Sequence, residues 1–287
     1  MTSTLRALIE LTKPRIVMLV VITVVAGFLV APAPEGALAV TLLHAAIGTA
    51  LVAAGTNALN QVAERDVDAI MRRTQARPLP TGRLDVRQAQ VFAWTAGIAG
   101  VTYLAVFVNT LTAVLAAATL VSYVFVYTPL KRRTTLATVV GAVPGALPVL
   151  GGWAATGAGL GREAWILFGI VFLWQLPHFL ALAWLYRDDY RRAGLRMLSV
   201  EDSNGRKTFS QAAVYAAALL PVSLAPALGG AVGLPYFLGA LALSLWLVWA
   251  SMRALRWVSD RNAARLFGAS VTYLPVLLVL MVLDRLA

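Results

Sequence analysis

The 287 residues are 60% apolar and only 13% charged, against near 45–50% and about 25% in soluble domains, which excludes a water-soluble globule. The formal net charge is +11 and cysteine is absent; the second fact removes disulfides, thiolate nucleophiles and Cys-ligated metals. In chain order, charge-free runs cover 16–34, 36–63, 88–130, 134–161, 164–186, 208–252 and 266–283. About 20 apolar residues in a helix cross roughly 30 Å of hydrocarbon. The runs 88–130 and 208–252 have room for two crossings each, divided at Asn109-Thr110 and at Gly229, Gly230, Gly233 and Pro235. The pattern predicts an all-α membrane protein, one domain over 1–287. Its nine transmembrane helices fall near 15–33, 38–63, 87–107, 111–129, 135–155, 164–186, 210–228, 234–252 and 265–283.

The N-terminus and the connections 64–87, 131–133, 187–207 and 253–265 hold 22 of the 24 Lys and Arg residues. Basic connections are retained in the cytoplasm, so the N-terminus is expected there and the C-terminus outside, as an odd helix count requires. The positive charge is thus a topology signal, with some residues able to meet anionic head groups, and it gives no support for nucleic-acid binding. A 13-residue lead is too short for a signal peptide plus a span and has no obvious transit-peptide character, so a bacterial inner membrane is expected. Two cytoplasmic connections exceed 20 residues, and long loops tend to be functional. In the first, Arg77-Pro78-Leu79-Pro80-Thr81-Gly82 breaks any helix, and Asp85 stands where it caps the third span. Pro144 and Pro148 predict an irregular fifth span that is buried or lines a cavity.

Of thirteen acidic residues, seven fall in two clusters: Glu64, Asp66 and Asp68, then Asp188, Asp189, Glu201 and Asp202. If the second helix runs past the membrane, Asn60, Glu64, Asp68 and Arg72 stand at i+4 steps on one stripe, with Asp66 pointing elsewhere. Such a stripe suits a magnesium–diphosphate complex, because Mg²⁺ takes one or two carboxylates together with phosphate oxygens and waters. Arg72, Arg73, Arg77, Lys131, Arg132 and Arg133 are the candidate donors to the diphosphate. The plainer alternative is a set of solvated charges flanking spans, with acids balancing neighbouring arginines. Two histidines, His44 and His178, are too few for a histidine-rich zinc site. Their depths differ by roughly 18 Å, which excludes a bis-histidine haem pair.

The run Asn60-Gln61-Val62-Ala63-Glu64-Arg65-Asp66-Val67-Asp68, followed by Met71, Arg73, Thr74, Arg77, Pro78 and Leu79, resembles the first aspartate-rich motif of the UbiA-type intramembrane prenyltransferases. Within that family it resembles the heme O synthase (protoheme IX farnesyltransferase) branch. Tyr127-Thr128-Pro129-Leu130-Lys131-Arg132-Arg133-Thr134, leading into Gly141, Gly145, Pro148, Gly152 and Trp153, agrees with that branch. So do Trp174-Gln175-Leu176-Pro177-His178-Phe179 with Leu182-Ala183, Asp188-Asp189-Tyr190 with Ala193-Gly194 and Met197, and Lys13-Pro14-Arg15. The chain departs from the pattern at Glu64, where many relatives have Asp. It departs again at Tyr186 and Tyr190, which stand at the acid places of a D-x-x-x-D spacing. Ala137 replaces a usual Asn, and Arg196 a usual Pro.

The resemblance implies nine helices around a central cavity that opens toward the cytoplasm. It implies transfer of a farnesyl group from farnesyl diphosphate to a vinyl group of heme b, with addition of water, giving heme O. By family role Asn60, Glu64 and Asp68 hold one Mg²⁺, and Asp188 with Asp189 a second. The implied partners are farnesyl diphosphate, heme b and membrane lipid, with association to a downstream heme A synthase or terminal-oxidase assembly. Tyr103, Tyr123, Phe125, Tyr127, Phe172, Trp174 and Phe179 are candidates for cation–π stabilisation of an allylic cation, or else packing and lipid-facing aromatics. His178 has three readings: a helix-packing residue bonded to a backbone carbonyl, an axial contact to haem iron, or a base near the cation. Two other functions compete: a UbiA-type enzyme acting on a quinone precursor or chlorophyllide, and a multi-span transporter. Ion-coupled carriers usually place ionisable groups inside the membrane, and the midplanes here have none.

Overall fold

Caps and helix breakers set the element boundaries. The computed structural model describes residues 3–32 and 38–286, and every regular element among the described residues is helical. The helices are α1 (Ser3–Thr12), α2 (Pro14–Val30), α3 (Leu38–Ala63), α4 (Arg65–Ile70), α5 (Val86–Phe107) and α6 (Thr110–Val121). A π-helical turn, Ser122–Tyr127, leads to α7 (Thr128–Leu130), followed by α8 (Ala137–Ala155), α9 (Arg162–Leu185), α10 (Arg187–Arg192) and α11 (Leu198–Glu201). The chain ends with α12 (Arg206–Leu228), α13 (Leu234–Arg256) and α14 (Asp260–Leu286). The end of the first predicted span at residue 33, and the turn after it with Glu35, lie outside the described residues. Asp85 accepts from the amides of Arg87 and Gln88 at 2.8 and 3.2 Å and starts α5 as expected. Asn109 accepts from the Thr112 amide at 2.8 Å and divides the run 88–130 at the predicted point.

Eight helices are long and apolar enough to cross a membrane, and α1 and α2, bent by 42°, count as a ninth if the pair is one span. Pro14 causes the bend, since it has no N–H to continue α1 and its ring crowds the preceding turn. α3 satisfies carbonyls left at the break: Asn57 donates to the Thr12 oxygen at 3.0 Å and Gln61 to the Leu11 oxygen at 2.5 Å. The apolar core forms two main clusters. One joins α1, α3, α5 and α6 through residues such as Leu11, Leu59, Ala89 and Leu120. The larger joins α2, α8, α9, α12, α13 and α14. α2 and α8 approach closely because a Cβ on Gly152 would overlap the Val24 carbonyl and one on Gly27 the Val149 carbonyl, the small-residue packing of membrane helices. α8 differs from the expected irregular span: Pro144 and Pro148 leave it one continuous helix. The predicted burial holds, with 67% of its apolar window inside the molecule.

The connections that follow α3, α7 and α9 meet at one end of the bundle. Val67 and Met71 pack there with Ala183, Leu195 and Met197. The Arg196 amide donates to the Lys131 carbonyl at 2.9 Å.

Candidate active site

α3 ends at Ala63, and Glu64 takes φ −104° and ψ 10° before α4 resumes. The i→i−4 bonding survives this break, with Glu64 N–H to Asn60 O at 2.9 Å and Asp68 N–H to Glu64 O at 2.8 Å. Asn60, Glu64 and Asp68 therefore stay on one side of the chain, and all three are buried, at 2, 7 and 1% exposure. Each of them meets its own cation. Lys13 Nζ donates to Asn60 Oδ1 at 3.2 Å, Lys131 Nζ to Glu64 Oε1 at 2.9 Å, and Arg77 Nη1 to Asp68 Oδ2 at 2.7 Å. Asn60 Nδ2 donates to Glu64 Oε2 at 2.9 Å and to Thr128 Oγ1 at 3.2 Å, which turns its carbonyl oxygen toward Lys13. Asp68 Oδ1 is buried without a hydrogen-bond partner.

Burial works against the charge on Glu64, but the Lys131 ammonium, the Asn60 amide and Lys13 outweigh it and hold the carboxyl below its ordinary range. Burial likewise opposes the Lys131 ammonium, which the Glu64 carboxylate nevertheless carries above the usual lysine value. Lys13 sits in the break before α2, where burial, then Arg77 and Lys131, push its amine down to about 7. Three basic groups thus crowd two carboxylates in a space that favours an anion.

A π-helical turn positions Lys131. Thr128 Oγ1 donates to the Tyr123 carbonyl at 2.8 Å, and Pro129 has no N–H to offer an α-helical ladder. Single π turns of this kind are frequent at functional positions. The turn sets the Tyr127 ring under Lys131, with Nζ 4.4 Å from its centroid. Gly141 leaves room for that ring, which a Cβ would overlap.

Arg77 and Lys131 are the expected diphosphate donors that converge on the stripe. Arg72 does not join it, because α4 ends at Ile70 and Met71 is extended; the side chain is exposed. Arg73 lies 4.7 Å above the Tyr186 ring, and its amide reaches Asp189 Oδ2 at 3.4 Å. Arg132 and Arg133 are exposed. Asp188 and Asp189 follow each other in α10, so their side chains diverge by about 100°. Asp188 is 67% exposed and pairs with Arg191 at 2.7 Å, whereas Asp189 is 11% exposed and is held by Arg192. Glu201 pairs with Arg196 at 3.0 Å, and Asp202 accepts from the Thr208 amide and hydroxyl, each at 2.8 Å.

Among the described residues no three His, Asp or Glu side chains group as a metal site. An amide and two carboxylates, one with an uncommitted buried oxygen, still fit Mg²⁺ when a diphosphate and waters complete its shell. They do not make an all-protein cage. Of the aromatic candidates, Tyr123 and Tyr127 adjoin the site with ring centroids 5.1 Å apart. Tyr103 is bonded to His44 at 2.7 Å, and Phe125 is 55% exposed against Trp94. A groove of about 460 Å³ between α1 and the start of α5, lined in part by Leu8, Leu84 and Phe92, includes none of the site residues.

His178 stands in α9 against α14. Its Nδ1 lies 2.9 Å from Ser270 Oγ, and that hydroxyl donates to the Phe267 carbonyl at 2.6 Å. With the Ser270 hydrogen on that carbonyl, His178 Nδ1–H would be the donor and Nε2 would keep its lone pair. The ring packs on Phe267 and Trp174, with centroids at 4.7 and 5.2 Å. The packing partner is a hydroxyl rather than the backbone carbonyl expected. Lys13 and Thr128, quoted above only within family-like motifs and given no role there, also join the site; a basic residue directly before a helix-breaking proline was the available signal for Lys13.

The family described as UbiA prenyltransferase family matches residues 20–274 of the chain. The chain is similar to a protoheme IX farnesyltransferase of Solibacter usitatus, with 47% identity over 98% of this chain and 99% of that one. It is also 46% identical to a protein of the same name from Koribacter versatilis, over 99% of this chain and 94% of the relative. Among solved structures, a digeranylgeranylglyceryl phosphate synthase superposes with a TM-score of 0.82 at 17% identity, over 98% of both chains. A UbiA homolog from Archaeoglobus fulgidus bound to GPP and Mg²⁺ superposes with a TM-score of 0.66 at 14% identity, over 96% of this chain and 99% of that one. At these identities the two structures speak for the fold.

Proposed function

This chain belongs to the UbiA prenyltransferase family, and from that premise we propose that it transfers a farnesyl group from farnesyl diphosphate to heme b. The observation that carries the reading is the buried array of Asn60, Glu64 and Asp68, each met by one of Lys13, Lys131 and Arg77. Its excess of positive charge suits a diphosphate, and near-full-length identity of 46–47% to protoheme IX farnesyltransferases supports haem as the acceptor.

In the reaction the farnesyl C1–O bond breaks and the electron pair leaves with the diphosphate. The allylic cation forms a C–C bond with the terminal carbon of a vinyl group. Water adds to the adjacent carbon and loses a proton, giving the hydroxyalkyl side chain of heme O. Bound Mg²⁺, held by Asn60, Glu64 and Asp68, would supply charge neutralisation on the leaving diphosphate. Arg77 and Lys131 hold its oxygens by charge-assisted hydrogen bonds. Tyr123 and Tyr127 present aromatic faces beside Lys131, where they lower the energy of a nearby cation. The farnesyl tail lies among the spans, whose apolar side chains keep water from the cation. His178, with Nε2 free to accept, ligates haem iron or takes up a proton.

The site face is the cytoplasmic one, because the N-terminus and four connections on that side carry 22 of 24 Lys and Arg residues. The protein is then a multi-pass component of a bacterial inner membrane that supplies heme O to a heme A synthase or terminal-oxidase assembly. The test is product mass. Purified protein with farnesyl diphosphate and Mg²⁺ is offered heme b, a quinone precursor or chlorophyllide in separate incubations. The expected product is heme b heavier by one farnesyl group and one hydroxyl, with the other acceptors unchanged. Prenylation of another acceptor alone would replace this reading.

A further inference from the structure

Lys13 is the one non-glycine residue among the described residues with a positive φ, 54°. Glycine adopts that left-handed conformation more easily, and Pro14 already accounts for the break between α1 and α2. The hinge alone therefore gives no reason for a lysine. Its ammonium does, because Nζ lies 3.2 Å from Asn60 Oδ1. The Asn60 amide cannot turn away without losing Nδ2 bonds to Glu64 at 2.9 Å and Thr128 at 3.2 Å. The same arrangement recurs at Glu64 with Lys131 and at Asp68 with Arg77, at 2.9 and 2.7 Å.

We propose that Lys13 is a diphosphate-binding residue, held in the resting site on the amide oxygen that a metal would take. This rests on the farnesyl diphosphate reading. Lys131 and Arg77 are held in the same way on the two carboxylates. A magnesium diphosphate in this site would be held by the oxygens of Asn60, Glu64 and Asp68, which would leave Lys13, Lys131 and Arg77 to donate to its phosphate oxygens. Lys13 is suited to this exchange because an ammonium carries three donors on a flexible stem and tolerates a new direction. The exchange also makes the two ligands interdependent: metal on the oxygens frees the cations that diphosphate needs, and the reverse holds equally.

Calorimetric titration with inorganic pyrophosphate, with and without Mg²⁺, tests the assignment on the full chain in nanodiscs. The wild type is expected to bind pyrophosphate more tightly with Mg²⁺ than without it. Lys13→Gln and Lys13→Gly should each weaken binding of the magnesium complex by about ten- to a hundredfold, the loss of one charge-assisted hydrogen bond. Lys13→Gly eases the backbone, so its unfolding temperature should not fall below the wild type, which separates loss of binding from loss of fold. Unchanged binding in Lys13→Gly makes Lys13 a hinge residue only and overturns the proposal while leaving the diphosphate reading intact. A wild type that binds no magnesium pyrophosphate removes both.

Discussion

The two acidic segments at the site end of the bundle hold similar residues and are built in opposite ways. In the first, Asn60, Glu64 and Asp68 are four residues apart. Backbone bonds carry that spacing through the end of α3, so the three side chains share one buried side. In the second, Asp188 and Asp189 are neighbours in α10 and part company, one paired with Arg191 in the open and one turned toward the Arg73 amide. Spacing along a helix, more than the number of acids, decides whether carboxylates converge. The cations follow the same division. Lys131 and Arg77 are largely buried on their partners in the first segment, whereas Arg191 is 55% exposed in the second, and exposed pairs contribute little.

The largest effect should come from breaking the first segment. Glu64→Ala and Asp68→Ala are each expected to lower heme O formation more than a hundredfold, as loss of several kcal/mol of leaving-group stabilisation requires. Turnover measured on membranes containing equal amounts of protein checks this, and normal rates in both variants sink the reading. Next, Arg77→Ala should raise the Kd for farnesyl diphosphate about tenfold or more, for loss of one charged hydrogen bond. Arg72→Ala and Arg132→Ala should stay within about twofold, because both side chains are exposed. Equal damage at all three would show that the exposed arginines close over the substrate.

The second segment should respond less and unevenly. Asp189→Ala is expected to slow turnover roughly tenfold through loss of a partly buried hydrogen-bonding carboxylate. Asp188→Ala should leave turnover within about twofold. A loss at Asp188 as large as at Asp68 would mean that a second metal site assembles when substrate binds, and the contrast between the segments would fail. The mildest change in the first segment is Glu64→Asp, which keeps the carboxylate on a side chain one methylene shorter; kcat should fall less than for Glu64→Ala.

Much of this was legible in the sequence because it depends on local spacing. Charge-free runs are spans because a bilayer needs about 20 apolar residues, and Asn109 and Asp85 mark helix starts through their own side chains. The stripe of Asn60, Glu64 and Asp68 followed from i+4 geometry. Arg72 was placed on it only by assuming that the helix continued, and the extended Met71 ends it. Three features were out of reach for a physical reason, since their partners are far away in the chain. Lys13 meets Asn60 across 47 positions, Lys131 meets Glu64 across 67, and His178 meets Ser270 across 92. The π turn before Lys131 was hidden too, because it depends on Thr128 bonding back to Tyr123 ahead of Pro129.

The most direct test of the central claim, that a buried Asn60–Glu64–Asp68 array drives farnesyl transfer to haem, is a comparison of wild type with Asp68→Asn. The substitution keeps the shape of the side chain and removes its charge. Purified proteins would be incubated with heme b, farnesyl diphosphate and Mg²⁺, and the pigment weighed by mass spectrometry. The wild type is expected to convert heme b to a species heavier by one farnesyl group and one hydroxyl, while Asp68→Asn returns heme b unchanged. Heme O made equally fast by both would contradict it.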